Sequence, residues 1–226
     1  MQERKLLEIY NILLVSFGHR KWWPGETPFE VMVGAVLTQN TSWSNVEKAI
    51  SEMKIRGFLT SKKLACADMR EVEDAIKSSG YYRQKAERIV LLAKHVERYG
   101  SLNEMFAKPL AELREEVLSL KGVGPETADS ILLYAAEKPV FVVDAYTRRV
   151  FSRIGILPNA EEMNYEEVRS FFEENLPADV RIFNDFHAQI VELAKRFCKK
   201  KPVCAGCPLE GRCALNIKVH KPKNCV

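Results

Sequence analysis

The sequence predicts an all-α protein built from two helical domains, and three observations carry that reading. Apolar residues recur at helical spacing through nearly every segment, as in Ala86, Ile89, Val90, Ala93 and Val96 on one face. Helix punctuation is dense, with prolines at first-turn positions, glycines at stops, and Ser, Asp or Asn ahead of apolar runs. Only residues 140–143 read as strand, and so short a run cannot found a sheet.

The elements follow in order. Residues 1–23 read as one amphipathic helix, too short to fold alone. Pro28 takes the first position of the next helix. Ser44 with Glu47, and Ser101 with Glu104, have the capping-box spacing, in which each side chain satisfies the other's orphan backbone donor. Asp68 caps a helix that stops at Gly80, and Gly100 ends the helix carrying the Ala86–Val96 stripe. Pro125 opens a helix behind a glycine turn, Asn164 opens another, and Pro177 opens a long one running to residue 198. Residues 28–138 are the expected first domain. Residues 1–27 and 139–226 make a discontinuous second one.

Composition narrows the functional classes. The chain has 226 residues, 46% hydrophobic and 28% charged, which is an ordinary globular balance and excludes a disordered chain. A formal net charge of +4 permits a polyanionic partner without demanding one. No apolar run is long enough to cross a bilayer. MQERKLLEIY carries charges where an export signal would be apolar, so a cytoplasmic protein is expected. Thiols stay reduced there, so six cysteines ask for another explanation than a disulfide framework.

Four groups of residues carry chemistry. Lys121-Gly122-Val123-Gly124-Pro125-Glu126-Thr127 joins two helices through a tight turn. Its free N–H groups and the positive end of the following helix can hold a phosphate, although a plain helix–helix turn would look the same. Asp144 stands between a buried-looking apolar run and Ala145-Tyr146-Thr147, where it makes an N-cap and can also present a carboxylate. Cys198, Cys204, Cys207 and Cys213 can bind zinc or a [4Fe–4S] cluster. Cys66 and Cys225 lie outside this pattern as buried or terminal thiols. Lys199–Lys201, Lys218, Lys221 and Lys223 surround the cysteines, as a solvated face or as phosphate contacts. Trp22, Trp23 and Trp43 fill core or stack on a base, indole being the strongest cation–π partner among side chains. Gln39 reads as a polar helix end. His187 and Lys195 lie on the last long helix with no role assigned.

LKGVGPETADSILLYA followed by VVDAYTRRV resembles the helix–hairpin–helix signature of the endonuclease III superfamily of DNA glycosylases. The resemblance spans about Trp22 to Cys213. It implies a six-helix domain and a cluster domain with the active site in the cleft between them. It makes Asp144 the catalytic aspartate, and Lys121, Gly122, Val123, Gly124 and Thr127 the DNA grip. Gln39 becomes the residue that fills the gap left by a flipped base. The four cysteines become ligands of a [4Fe–4S] cluster, with C-x5-C in the first gap where the family has C-x6-C. Bifunctional members carry a nucleophilic lysine two residues after the second hairpin glycine, where this chain has Glu126. Base removal without strand cleavage is therefore expected.

HxWWP, VLTQNTxW and SGYYRQKAERI together look like the 3-methyladenine DNA glycosylase branch. Within that branch, Trp22, Trp23, Pro24 and Trp43 match the base pocket. Its members commonly lack the cluster cysteines, which this chain retains. The expected partner is double-stranded DNA with damaged bases, met by a monomer associated with the nucleoid. Two alternatives stay open within the resemblance: excision of mismatched thymine or uracil, and excision of oxidised pyrimidines. Outside it stand a non-catalytic DNA-binding module and a zinc protein.

Overall fold

The protein was analysed as a computed structural model, which describes residues 2–20 and 22–219, the side chains of residues 217–219 excepted. Among the described residues there are thirteen α-helices and two 3-10 turns, with no strand. Residues 140–143 take no regular secondary structure and are buried. The chain divides into two compact units, Met1–Trp22 with Pro139–Val226 and Trp23–Lys138. No helix among the described residues is long and apolar enough to cross a membrane.

Helix α1 spans Gln2–Phe17 and stops short of residue 23. Gly18 takes a φ of +69° and its N–H closes on the Leu14 carbonyl, the left-handed ending that glycine permits, so the described residues 18–20 and 22–24 lie outside the helix. In the second unit, α2 (Pro28–Leu37) starts on the Thr27 cap and is buried almost all round. Helix α3 (Trp43–Ile55) begins one residue ahead of Ser44, so Ser44 sits inside the first turn and the expected capping box does not form. Glu47 instead accepts the Trp43 indole N–H at 2.9 Å.

The short α4 (Ser61–Ala65) precedes α5 (Met69–Ala75), which Asp68 caps through the N–H groups of Arg70 and Glu71. That helix ends at Ala75 and passes through a 3-10 turn, Lys77–Ser79, before reaching Gly80. Helix α6 (Tyr82–Val96) buries the whole predicted stripe. It ends ahead of Gly100, at a Glu97 cap whose N–H bonds the Ala93 carbonyl. In α7 (Leu102–Phe106), Ser101 accepts the Glu104 N–H, while the Glu104 carboxylate takes the N–H of Gly100 and not of Ser101. Helices α8 (Leu110–Leu118) and α9 (Pro125–Tyr134) pack together around the Arg114–Asp129 ion pair, Asp129 being fully buried.

Lys85 is the unusual member of this core. Its side chain is 1% exposed, and its ammonium donates to the carbonyls of Leu37 and Ser79 at 2.8 and 2.7 Å. Burial, with Arg88 nearby, pulls its pKa down to about 8. The group closes the exposed carbonyl ends of α2 and the 3-10 turn together.

The first unit continues with α10 (Ala145–Ile154), α11 (Tyr165–Glu174), α12 (Val180–Arg196) and α13 (Ala214–Val219). Asn164 and Glu167 form a complete capping box at α11. The long helix starts at Val180 on an Asp179 cap, later than Pro177, because Asp179 supplies the acceptor for the first-turn N–H groups. Phe141, Phe151, Phe172, Phe183 and Phe186 form one fully buried aromatic core, with Phe141 stacked on Phe172 at 4.1 Å. Helix α12 packs on α1 and on α10.

Candidate active site

Asp144 ends a buried apolar run, two of whose backbone donors are met by side chains. Phe141 N–H bonds Glu173 and Val143 N–H bonds the Tyr165 hydroxyl. The run is locked by burial of Val140, Phe141, Val142 and Val143, so the carboxylate behind it has a fixed origin. Asp144 caps α10 through one oxygen only: Oδ1 accepts Thr147 N–H at 2.7 Å and Thr147 Oγ1–H at 2.9 Å. Oδ2 faces His187 Nε2 at 3.6 Å. Burial pushes the Asp144 carboxyl up, but His187 and the two Thr147 donors outweigh it and hold the pKa below the ordinary carboxylate value. The result is a carboxylate kept ionised in a poorly solvated place, which can stabilise a developing cation.

One stripe of α12 grips the segment after α1. Asp185 accepts the Tyr10 hydroxyl at 2.9 Å and Arg20 N–H at 2.8 Å, with His19 Nδ1 at 3.3 Å. Gln189 donates to the Gly18 carbonyl at 2.7 Å, and Glu192 pairs with Arg20 at 3.2 Å. Lys195 completes the stripe, its ammonium 5.6 Å from the Trp22 ring centroid. Trp22 thus belongs with Lys195, in the unit that holds Asp144.

All four clustered cysteines, Cys198, Cys204, Cys207 and Cys213, line one apolar pocket with Phe197, Pro202 and Leu215. Two arginines one turn apart on α10 bind the start of this loop. Arg149 donates to the Cys198 carbonyl at 2.9 Å, and Arg153 approaches Cys198 Sγ at 3.5 Å while also bonding the Lys199 and Lys200 carbonyls. The Cys213 thiol donates to the Arg153 carbonyl. Burial, with the neighbouring thiols, pushes the Cys204 thiol up, and burial does the same to Cys207. Among the described residues no three His, Cys, Asp or Glu side chains are grouped to hold one metal ion. Cys66 is exposed, not buried, since α4 turns it outward at its C-cap. Cys225, Lys221 and Lys223 lie outside the described residues, as does the side chain of Lys218.

In the other unit the glycine turn stands as a discrete hairpin between α8 and α9. Gly122 has a φ of +81°, and a Cβ there would lie 2.1 Å from Arg88 Nε. Gly124 is the N-cap of α9 and has no side chain to bond the first-turn N–H groups. A Cβ on Gly124 would meet nothing within 4 Å. Val123 is buried, Lys121 is exposed and pairs with Glu87, and Glu126 is exposed. Gln39 is brought onto the hairpin: its Nε2 donates to the Gly122 carbonyl at 3.1 Å and to Thr127 Oγ1 at 2.9 Å. Arg88 donates to Gln39 Oε1, which fixes the direction of the amide. Such a hairpin presents backbone donors and a helix N-terminus to an anion.

Trp23, Pro24 and Trp43 line a second pocket in this unit, with Glu30, Gly34 and Glu47. Trp23 meets Trp43 edge-on at 5.2 Å and Tyr134 at 5.2 Å in a tilted arrangement. Gly34 permits this approach, since a Cβ there would lie 3.2 Å from Trp23 Nε1. Two of the three expected pocket aromatics therefore touch, and Trp22 goes with the other unit. Sequence reasoning missed Thr147, Tyr134, Arg88 and the pairing of His187 with Asp144. Thr147 was legible as the third residue after a capping aspartate; the other three depend on chain segments distant in sequence.

Comparison with known proteins agrees with this geometry. Residues 33–178 match the HhH-GPD superfamily of base excision DNA repair proteins. A protein of Methanocaldococcus jannaschii provisionally named a DNA repair glycosylase is 48% identical over 94% of this chain and 99% of its own. Endonuclease III of Thermotoga maritima is 35% identical over 82% of each chain. Among solved structures, the 3-methyladenine DNA glycosylase of H. pylori, bound to 1,N6-ethenoadenine, is similar with a TM-score of 0.74 at 29% identity. That likeness covers 86% of this chain and 97% of the other.

Proposed function

Because the chain belongs to the HhH-GPD superfamily of base excision DNA repair proteins and is a DNA glycosylase of that superfamily, we propose that it is a monofunctional enzyme for N-alkylated purines in double-stranded DNA. The observation that carries this reading is Asp144, a carboxylate held ionised with one oxygen engaged as a helix cap and the other turned away from it. Glu126 supports the absence of strand cleavage, because no amine stands at that position to attack the sugar.

The chemistry follows from charge. A purine alkylated on a ring nitrogen is cationic. When its C1′–N bond breaks, the electron pair goes to the base, which leaves neutral and needs no general acid. The positive charge passes to the sugar, and the Asp144 carboxylate stabilises it. Water then supplies its oxygen lone pair to C1′, and its proton leaves through the carboxylate or solvent. Trp23 and Trp43, ordered by Tyr134 and Gly34, supply the aromatic surface for a flipped base. Gln39 fills the vacated place in the duplex, and the Lys121–Gly124 hairpin with Thr127 holds the backbone, the protein acting as a monomer.

Cys198, Cys204, Cys207 and Cys213 would hold a [4Fe–4S] cluster. The donor set supports this: four thiols share one apolar pocket, one ligand for each iron of such a cluster. A cluster there supplies structure and charge balance for the thiolates, and no step of base removal passes through it.

A second reading rests on Lys195. Its ammonium already occupies a cation position over Trp22, which disfavours a second cation on that ring and favours a neutral base such as mismatched thymine or uracil. A panel of duplexes separates the two readings. Release of 3-methyladenine from methylated DNA, with uracil and thymine mismatches left intact, supports the first. Release of thymine or uracil alone overturns it.

A further inference from the structure

We propose that His187 is a positioning residue for Asp144, setting the direction of Oδ2 and keeping that oxygen anionic while Oδ1 serves the helix. This rests on the glycosylase reading of Asp144 and adds the part of the site that sequence left without a role.

The two carboxylate oxygens have different environments. Oδ1 accepts Thr147 N–H, the ordinary bond of an N-cap aspartate, and Thr147 Oγ1–H beside it. Oδ2 is not needed for capping. Its approach is to an imidazole that is 4% exposed and comes from another helix, with Nε2 at 3.6 Å. A cap alone would leave Oδ2 to water. Burying a histidine against it costs desolvation and gains nothing for the helix, so the contact is explained by what Oδ2 does. His187 also has a rigid origin: its neighbours Phe186 and Ala188 are buried in the aromatic core and under α10. With its backbone held this way and its own ring buried, the imidazole meets Oδ2 from a fixed origin.

The other charged groups near this pair are engaged elsewhere. On α12, Asp185 holds Tyr10 and His19, and Gln189 holds Gly18. On α10, Arg148 donates to the Ala160 and Met163 carbonyls, and Arg149 to the Cys198 carbonyl. From α1, Tyr10 faces Asp185. His187 is thus the group set beside Oδ2.

The test uses the full protein and two substitutions. His187→Gln keeps an N–H donor at about the same reach, and His187→Phe keeps the volume without a donor. Single-turnover base release, DNA affinity and the carboxyl titration of Asp144, followed by carbon NMR, are measured for each. The expected result is a loss of about tenfold or more in release rate for His187→Phe at unchanged DNA affinity. The Asp144 titration should move upward in that variant, and His187→Gln should recover most of both. Wild-type release and titration in folded His187→Phe would overturn the proposal, and so would an equal loss in both variants. If His187→Phe does not fold, His187→Leu takes its place as the donor-less variant: a loss in His187→Leu that His187→Gln recovers supports the proposal, and wild-type release and titration in His187→Leu overturn it. Asp144→Asn is run in parallel. If it still releases base, the catalytic reading of Asp144 fails; if it is inactive, a failure at His187 belongs to His187 alone.

Discussion

The two oxygens of Asp144 face different partners, Thr147 and His187, and each contact has a separable consequence. Thr147→Val removes one of the two donors to Oδ1 while leaving the backbone N–H. The expected effect is a loss of about 1 kcal/mol in stability, read from a denaturant midpoint, with a smaller effect on DNA binding. Acid dependence follows from the direction of the Asp144 pKa. A carboxyl held below its unfolded value stays ionised until the pH falls beneath the ordinary carboxylate range of about 4. The release rate of a cationic base should be flat from neutrality down to about pH 5. An acid limb centred near pH 6 would contradict the ionised state described here. His187 was not legible as a partner because nothing local links α12 to the start of α10. Asp144 and Thr147 were legible because a cap and its third residue are neighbours.

At the scale of elements, the hairpin offers the sharpest contrast. Gly122 and Gly124 look alike in sequence but are needed for different reasons. Gly122→Ala meets a φ of +81° and the Arg88 side chain, so about 1–2 kcal/mol of stability should be lost and Gln39 released from its place. Gly124→Ala meets open space at a φ of −94°, so stability should hold. DNA affinity should still fall if the hairpin holds the backbone as proposed, because the methyl group would stand in the way of the phosphate. Equal affinity for wild type and Gly124→Ala would remove the hairpin from DNA binding. Most helix boundaries were readable, and the errors have physical causes. Gly18 ended α1 early, Asp179 displaced Pro177 as the start of α12, and Glu47 was drawn to Trp43 instead of a cap. Adjacent Trp22 and Trp23 look like one pair in sequence, yet the chain passes from one unit to the other between them.

Across the whole molecule, two features respond to solution conditions. Lys85 has a folded pKa pulled down to about 8 against an unfolded value near 10.5. Between those values the unfolded chain binds the extra proton, so stability from this group rises with pH. Relative to Lys85→Met, wild type should gain about 1.4 kcal/mol per pH unit across that window. A neutral amine still donates two protons, enough for Leu37 and Ser79. Iron and sulfide analysis addresses the cysteine pocket: about four irons per chain and a brown colour are expected. Zinc in a colourless protein would contradict that assignment.

The central claim is hydrolytic base release without a covalent enzyme–DNA step. Single-turnover reaction with methylated duplex DNA, quenched with borohydride, tests it most directly. The expected outcome is free 3-methyladenine, an intact strand bearing an abasic site, no trapped adduct, and no release by Asp144→Asn. A borohydride-trapped complex or a cut strand with wild-type protein would contradict it.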